Sequence, residues 1–131
     1  MSEAREKGLE IFREIFGDEM ARGVEEHGRS STEFGKEQSN WSLEWAFGSV
    51  WGRDGLQRKL RSCAVLGMLI GQGQSEEIKY HTIMGMANGL SRQELEEIFY
   101  TAIPYAGFPA ANTAKAAMLE AFGEMEKASR G

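Results

Sequence analysis

The strongest constraint on this chain is the helical spacing of its apolar residues, which runs almost end to end and is punctuated by glycine. Only two prolines occur, Pro104 and Pro109, and no stretch alternates apolar and polar side chains for long. Stripes of this kind are buried helix against helix, so the expected fold is all-α. At 131 residues the chain fits one compact domain, residues 1–131.

The spacing predicts a first helix over Ser2–Phe16, with Leu9, Phe12 and Phe16 on one face and Gly17 as its stop. A second helix around Asp18–Glu26 carries Met20 and Val24, and His27-Gly28-Arg29-Ser30 reads as a break. Ser30 and Glu33 have capping-box spacing and open a third helix that stacks Phe34, Gln38, Trp41 and Trp45. Gly48 to Gly55 reads as a glycine-punctuated loop holding Trp51. A fourth helix runs from Leu56 to Ile70. Its first half turns Leu56, Leu60 and Cys63/Ala64 inward, and its second half is apolar all round, which suits a central helix or a subunit interface. Ser75 caps a fifth helix that reaches Asn88, with Gly89 as its left-handed stop. Ser91 and Glu94 form a capping box, with Leu90 and Leu95 as a hydrophobic staple, and open a sixth helix that ends near Pro104. Pro109 starts a seventh, reaching Lys127, with Ala114, Ala117/Met118, Ala121 and Met125 on one stripe. The expectation is a single-domain bundle of six to seven helices.

Charge and cysteine content narrow the function. Lys plus Arg number 15 and Asp plus Glu 20, a net charge of −5 with no basic block, so neither nucleic acid nor an anionic membrane surface is an expected partner. The longest apolar run, Cys63 to Ile70, is too short to span a bilayer. The N-terminus is charged and lacks an apolar run, so no signal peptide is expected. The lone cysteine, Cys63, forbids an intrachain disulfide and points to the cytoplasm. Two histidines and one cysteine argue against structural zinc.

Chemistry concentrates in few places. His81 lies mid-helix with Glu77 one turn before it. A carboxylate there raises the pKa of an imidazole and orients it, giving a general acid or an oxyanion donor; an exposed helix pair has the same spacing. Residues 53–61 hold Arg53, Arg58, Lys59 and Arg61 against Asp54. Arg53, among glycines and aromatics, could clamp a carboxylate, while Arg58 and Lys59 suit a solvated face. Trp41, Trp45, Phe47 and Trp51 could roof a pocket; Trp41 suits a core, and Trp51, outside the helical pattern, is the better pocket residue. Cys63 reads as a small core hydrophobe rather than a nucleophile, and His27 as a surface residue. The methionines read as core filler, with Met84 and Met86 as possible pocket lining. Gly71 and Gly73 are helix stops, since no strand precedes them as a phosphate loop requires.

These residues also carry a resemblance. Trp45-Ala-Phe-Gly-Ser-Val-Trp-Gly-Arg-Asp-Gly-Leu56, Arg61-Ser62, Glu77-Ile-Lys-Tyr-His81, Ala87-Asn-Gly-Leu-Ser-Arg-Gln-Glu-Leu95 and Tyr105-Ala-Gly-Phe-Pro-Ala-Ala-Asn112 resemble the carboxymuconolactone decarboxylase family, and most narrowly its 4-carboxymuconolactone decarboxylase branch. Gly8 to Asp18 extends the likeness over nearly the whole chain. The resemblance implies an alkyl hydroperoxide reductase D-like (AhpD-like) all-α fold in a homo-oligomer, a hexamer. It further implies cofactor-free decarboxylation of a small carboxylated lactone in aromatic-compound degradation by the beta-ketoadipate route. The superfamily's thiol peroxidases carry a Cys-x-x-Cys motif before the matching histidine. Gln74 and Glu77 stand there in this chain, so disulfide chemistry is not available. Their upstream glutamate corresponds to Ser62.

In these terms His81, oriented by Glu77, would stabilise the oxyanion or deliver the proton. Arg53 would anchor the second carboxylate, and Trp51 and Trp45 would form an apolar wall. The chain departs from the branch at Asp54, where proline is usual, and at Ser31-Thr-Glu-Phe34, where a Thr-Pro-Phe-like entry is usual. The Asp54 departure motivates one alternative, a family member acting on another small keto acid or lactone; a non-catalytic small-acid-binding oligomer on this fold is the other.

Overall fold

The computed structural model describes residues 2–30 and 32–130; Ser31, one of the positions departing from the branch, lies outside the described residues. Seven α-helices and one π-helix make up the regular structure among the described residues, as the all-α expectation requires. They group into two compact units, residues 1–56 and 57–131.

In the N-terminal unit, α1 (Glu3–Phe16) starts at Ser2, whose side chain accepts from the Arg5 N–H, and stops at Gly17 with φ 91°. Next come α2 (Asp18–Arg29), α3 (Lys36–Trp41) and, without a break, a π-helix (Ser42–Trp51). Leu9, Phe12, Ala21 and Leu43 form the core, with Phe16, Val24 and Phe47 packed on it. Phe47 meets Phe12 edge-on at 5.2 Å. α1 crosses the π-helix where Gly8 faces Gly48. A Cβ on Gly8 would collide with the Leu43 carbonyl, and one on Gly48 with the Ala4 carbonyl, so the approach needs glycine on both sides. Arg5 is buried in the same unit. Its Nε and Nη2 donate to Asn40 Oδ1 at 3.2 and 2.9 Å, and Asn40 Nδ2 donates to the Gly28 carbonyl at 2.8 Å, joining α1, α2 and α3.

Several expectations fail in this unit, two of them because Gly28 and Gly48 serve as contact surfaces rather than breaks. α2 continues through His27-Gly28-Arg29, because buried Gly28 makes room for Asn40. His27 is therefore a partly buried helical residue, with Nδ1 2.8 Å from Ser39 Oγ, and not a loop surface residue. Ser30 Oγ does accept from the Glu33 N–H at 3.1 Å, yet α3 opens only after Gly35 at φ 77°, and Phe34 is fully exposed. Trp41, expected in the core, is 62% exposed, and Met20 also faces outward. Gly48 ends no helix; the backbone continues to Trp51 in the wider π form, so the loop is confined to 52–57.

The C-terminal unit comprises α4 (Arg58–Gln72), α5 (Ser75–Ala87), α6 (Arg92–Ala106) and α7 (Phe108–Arg130). Leu66, Ile70, Ile78, Leu90, Leu95, Ala114, Ala117 and Met118 form its core. The α4 stripe that turns inward is Ser62, Leu66 and Ile70; Leu56 and Leu60, expected inside, are exposed. α5 begins with Ser75 as its first residue after Gln74, and Gly89 at φ 106° follows its end. The capping box forms as expected, with Glu94 N–H donating to Ser91 Oγ at 3.0 Å and Ser91 N–H to Glu94 Oε1 at 2.9 Å; Leu90 and Leu95 share the core beneath it. α6 does not stop at Pro104 but runs to Ala106 and ends at Gly107, φ 95°. A proline in the last turn forfeits one bond to the carbonyl of exposed Tyr100, which water can satisfy. The alanine stripe of α7 is buried at Ala111, Ala114, Ala117 and Ala121. Buried Lys79 on α5 lies 3.1 Å from Glu124 and 3.4 Å from Glu120 of α7, and the Glu124 hydrogen bond holds its ammonium well above the ordinary lysine range.

Candidate active site

α5 sets the first group. Its Ile78, Thr82, Met84 and Gly85 face the core, which leaves Glu77 and His81 together on a flank. Glu77 is mostly exposed, whereas the His81 side chain is 23% exposed. His81 Nε2 stands 3.9 Å from Glu77 Oε2, ion-pair range but too long for a hydrogen bond. His81 Nδ1 is buried and has no hydrogen-bond partner among the described residues. Burial pushes the imidazole pKa below its ordinary value and outweighs the Glu77 charge, which acts in the opposite direction. This corrects the expectation that Glu77 would leave His81 with a raised pKa. The ring is a neutral imidazole at pH 7, and the Glu77 charge favours the tautomer with hydrogen on Nε2. Such a ring can donate to a developing oxyanion without first being protonated.

Neighbouring groups on this unit are fixed by packing. Ser62 is buried on α4 and accepts from Asn88 Nδ2 at 3.0 Å, a bond that ties the end of α5 to α4. Cys63 is partly buried against the core, as a small hydrophobe would be. It lines an apolar cavity of about 450 Å³ with Ile70, Ile98, Ala102 and Tyr105. Met84 is fully buried, and Met86 is partly buried against the core. Lys59, expected on a solvated face, is partly exposed and pairs with Glu94 at 2.8 Å.

The N-terminal unit holds the other candidates along one element. Trp45 and Trp51 both lie on the π-helix, but Trp45 is 70% exposed and Trp51 only 7%. Trp45 lines an open hollow of about 460 Å³ with Trp41, Gln38, Ser42 and Ala46, and Trp51 is not part of it. Arg53 follows in the loop with its side chain exposed and its N–H donating to the Val50 carbonyl at 3.2 Å. The carbonyl before it, on Gly52, accepts from Lys7 Nζ at 2.9 Å.

The candidates thus fall into two sets: His81 with Glu77 on α5, and Trp45, Trp51 and Arg53 on the π-helix and its exit. Sequence reasoning missed Lys7 and Asn88. Asn88 stands inside the Asn-Gly-Leu-Ser stretch and could have been singled out there; Lys7 acts across 45 residues and leaves no local signal. Among the described residues no group of three His, Cys, Asp or Glu side chains could hold a metal ion, and no helix is long and apolar enough to cross a membrane.

Comparison with known proteins bears on this arrangement. The chain is 36% identical over 104 residues to nitrosuccinic acid decarboxylase npaB of Metarhizium robertsii, covering 79% of this chain and 71% of that protein. It is 31% identical over 120 residues to 4-carboxymuconolactone decarboxylase of Acinetobacter baylyi, covering 91% and 87%. Both relatives are named as decarboxylases, which supports a carboxy-lyase. The model of one family spans residues 39–120, a stretch that includes Trp45, Trp51, Arg53, Glu77 and His81. The chain therefore belongs to the carboxymuconolactone decarboxylase family.

Proposed function

We propose that this protein is a cofactor-free carboxy-lyase acting on a small acid with two carboxylates, with 4-carboxymuconolactone as the first substrate to test. In that reaction the bond between a ring carbon and its carboxylate breaks and CO2 leaves. The electron pair moves through the ring double bond onto the lactone carbonyl oxygen, and a proton then adds to ring carbon. No electron acceptor is required. The observation that carries the reading is His81: a half-buried imidazole kept neutral by its surroundings, beside a carboxylate, in a chain of this family. Its N–H stabilises the oxyanion and Glu77 sets its tautomer. Arg53 holds the carboxylate that stays, and Trp51 and Trp45 supply apolar surface that leaves the departing carboxylate poorly solvated.

One observation favours a second reading. The relative named for nitrosuccinic acid is 36% identical, and that compound is also a small diacid whose nitro group can take up the electron pair. A panel of 4-carboxymuconolactone, nitrosuccinic acid and a plain keto acid, each followed by CO2 release, separates the readings. Turnover of the lactone above the others supports the first, and nitrosuccinate turnover the second. Release from none of them contradicts both. We further propose a cytoplasmic homo-oligomer, a hexamer as the resemblance implies; exposed Met68, Tyr105 and Phe108 in the C-terminal unit support a contact surface between copies.

A further inference from the structure

We propose that Lys7, on α1, is a positioning residue for Arg53. The inference rests on the reading that Arg53 holds a substrate carboxylate, and it concerns a residue outside the 39–120 stretch shared with the family. A π-helix ends with carbonyls that have no partner further along the helix, just as an α-helix does. Here the Gly52 carbonyl, one residue beyond that end, accepts from Lys7 Nζ at 2.9 Å. The lysine stem lies along the same residue: a Cβ on Gly52 would stand 3.0 Å from Lys7 Cε and 3.3 Å from Lys7 Cδ, and would collide with the Gly48 carbonyl. Gly52 is therefore bare where the lysine crosses it. Beside this strap, Gly8 is locked against Leu43 and Gly48, so the root of the lysine cannot slide along the π-helix. Arg53 is the next residue, and its own N–H donates to the Val50 carbonyl at 3.2 Å. Lys7 thus fixes the peptide from which the guanidinium projects, and an exposed loop arginine becomes a pre-oriented one.

The experiment compares wild type, Lys7→Met and Lys7→Arg in two ways. In the ligand-free protein, amide exchange at Gly52 and Arg53 should speed up by about three- to tenfold in Lys7→Met, the worth of one such hydrogen bond, and return toward wild type in Lys7→Arg; unchanged exchange overturns the proposal. With 4-carboxymuconolactone, KM should rise by about the same factor while kcat holds within about twofold. In an Arg53→Ala background the Lys7→Met effect on KM should vanish, because there is no guanidinium left to orient. A fall in kcat with KM unchanged, or effects of Lys7→Met and Arg53→Ala that simply add, overturns it. If wild type turns over none of the panel, the functional reading fails, and the exchange measurement still decides whether Lys7 holds this loop.

Discussion

At His81 two opposing effects can be weighed. A carboxylate one turn away is visible in the sequence and argues for a raised pKa. Burial is not visible there, because it comes from how α5 packs on its neighbours, and it wins. Removing the opposing charge should therefore move the imidazole further the same way. Glu77→Gln is expected to lower the His81 pKa below that of wild type, followed by NMR titration with His27 as internal comparison; an unchanged pKa would mean that Glu77 does not act on the ring. The sign for stability follows. Above the ordinary histidine pKa both folded and unfolded chains are neutral at this residue, so it costs the fold nothing. As pH falls through that value toward the lower folded one, the unfolded chain takes the proton first and stability is lost. If the neutral ring is the working form, kcat falls over the low end of that window.

At the scale of elements, legibility depended on how local the determining contacts are. The start of α6 could be read because Ser91, Glu94, Leu90 and Leu95 lie within six consecutive positions and satisfy one another. The π-helix could not, because Gly48 looks like a stop until Gly8 of α1 is seen against it. Likewise the sequence pattern places Trp51 in a loop and Trp41 in a core, and the structure reverses both. The crossing has a measurable consequence. Gly8→Ala places a methyl group into the Leu43 carbonyl, so the two helices must part, at a cost of about 1–3 kcal/mol. This should appear as a Tm lowered by several degrees in thermal unfolding. A variant as stable as wild type would show that the crossing is not tight.

At the scale of the whole molecule the chain divides into two compact units, yet one family match crosses the division at 39–120. We propose that the units unfold together as one domain. Nature has placed the probes conveniently: Trp41, Trp45 and Trp51 are all in the N-terminal unit, and Tyr80, Tyr100 and Tyr105 all in the C-terminal one. Trp fluorescence and Tyr absorbance should follow coincident transitions, and separate midpoints would mean two independently folding parts.

A neutral imidazole on α5 that stabilises the oxyanion makes turnover depend on His81. The most direct measurement is CO2 release from 4-carboxymuconolactone by wild type and by His81→Ala of matched circular dichroism. Wild type should release CO2, and turnover should fall by about a hundredfold or more in the variant. A variant with wild-type turnover would contradict it and remove His81 from the chemistry.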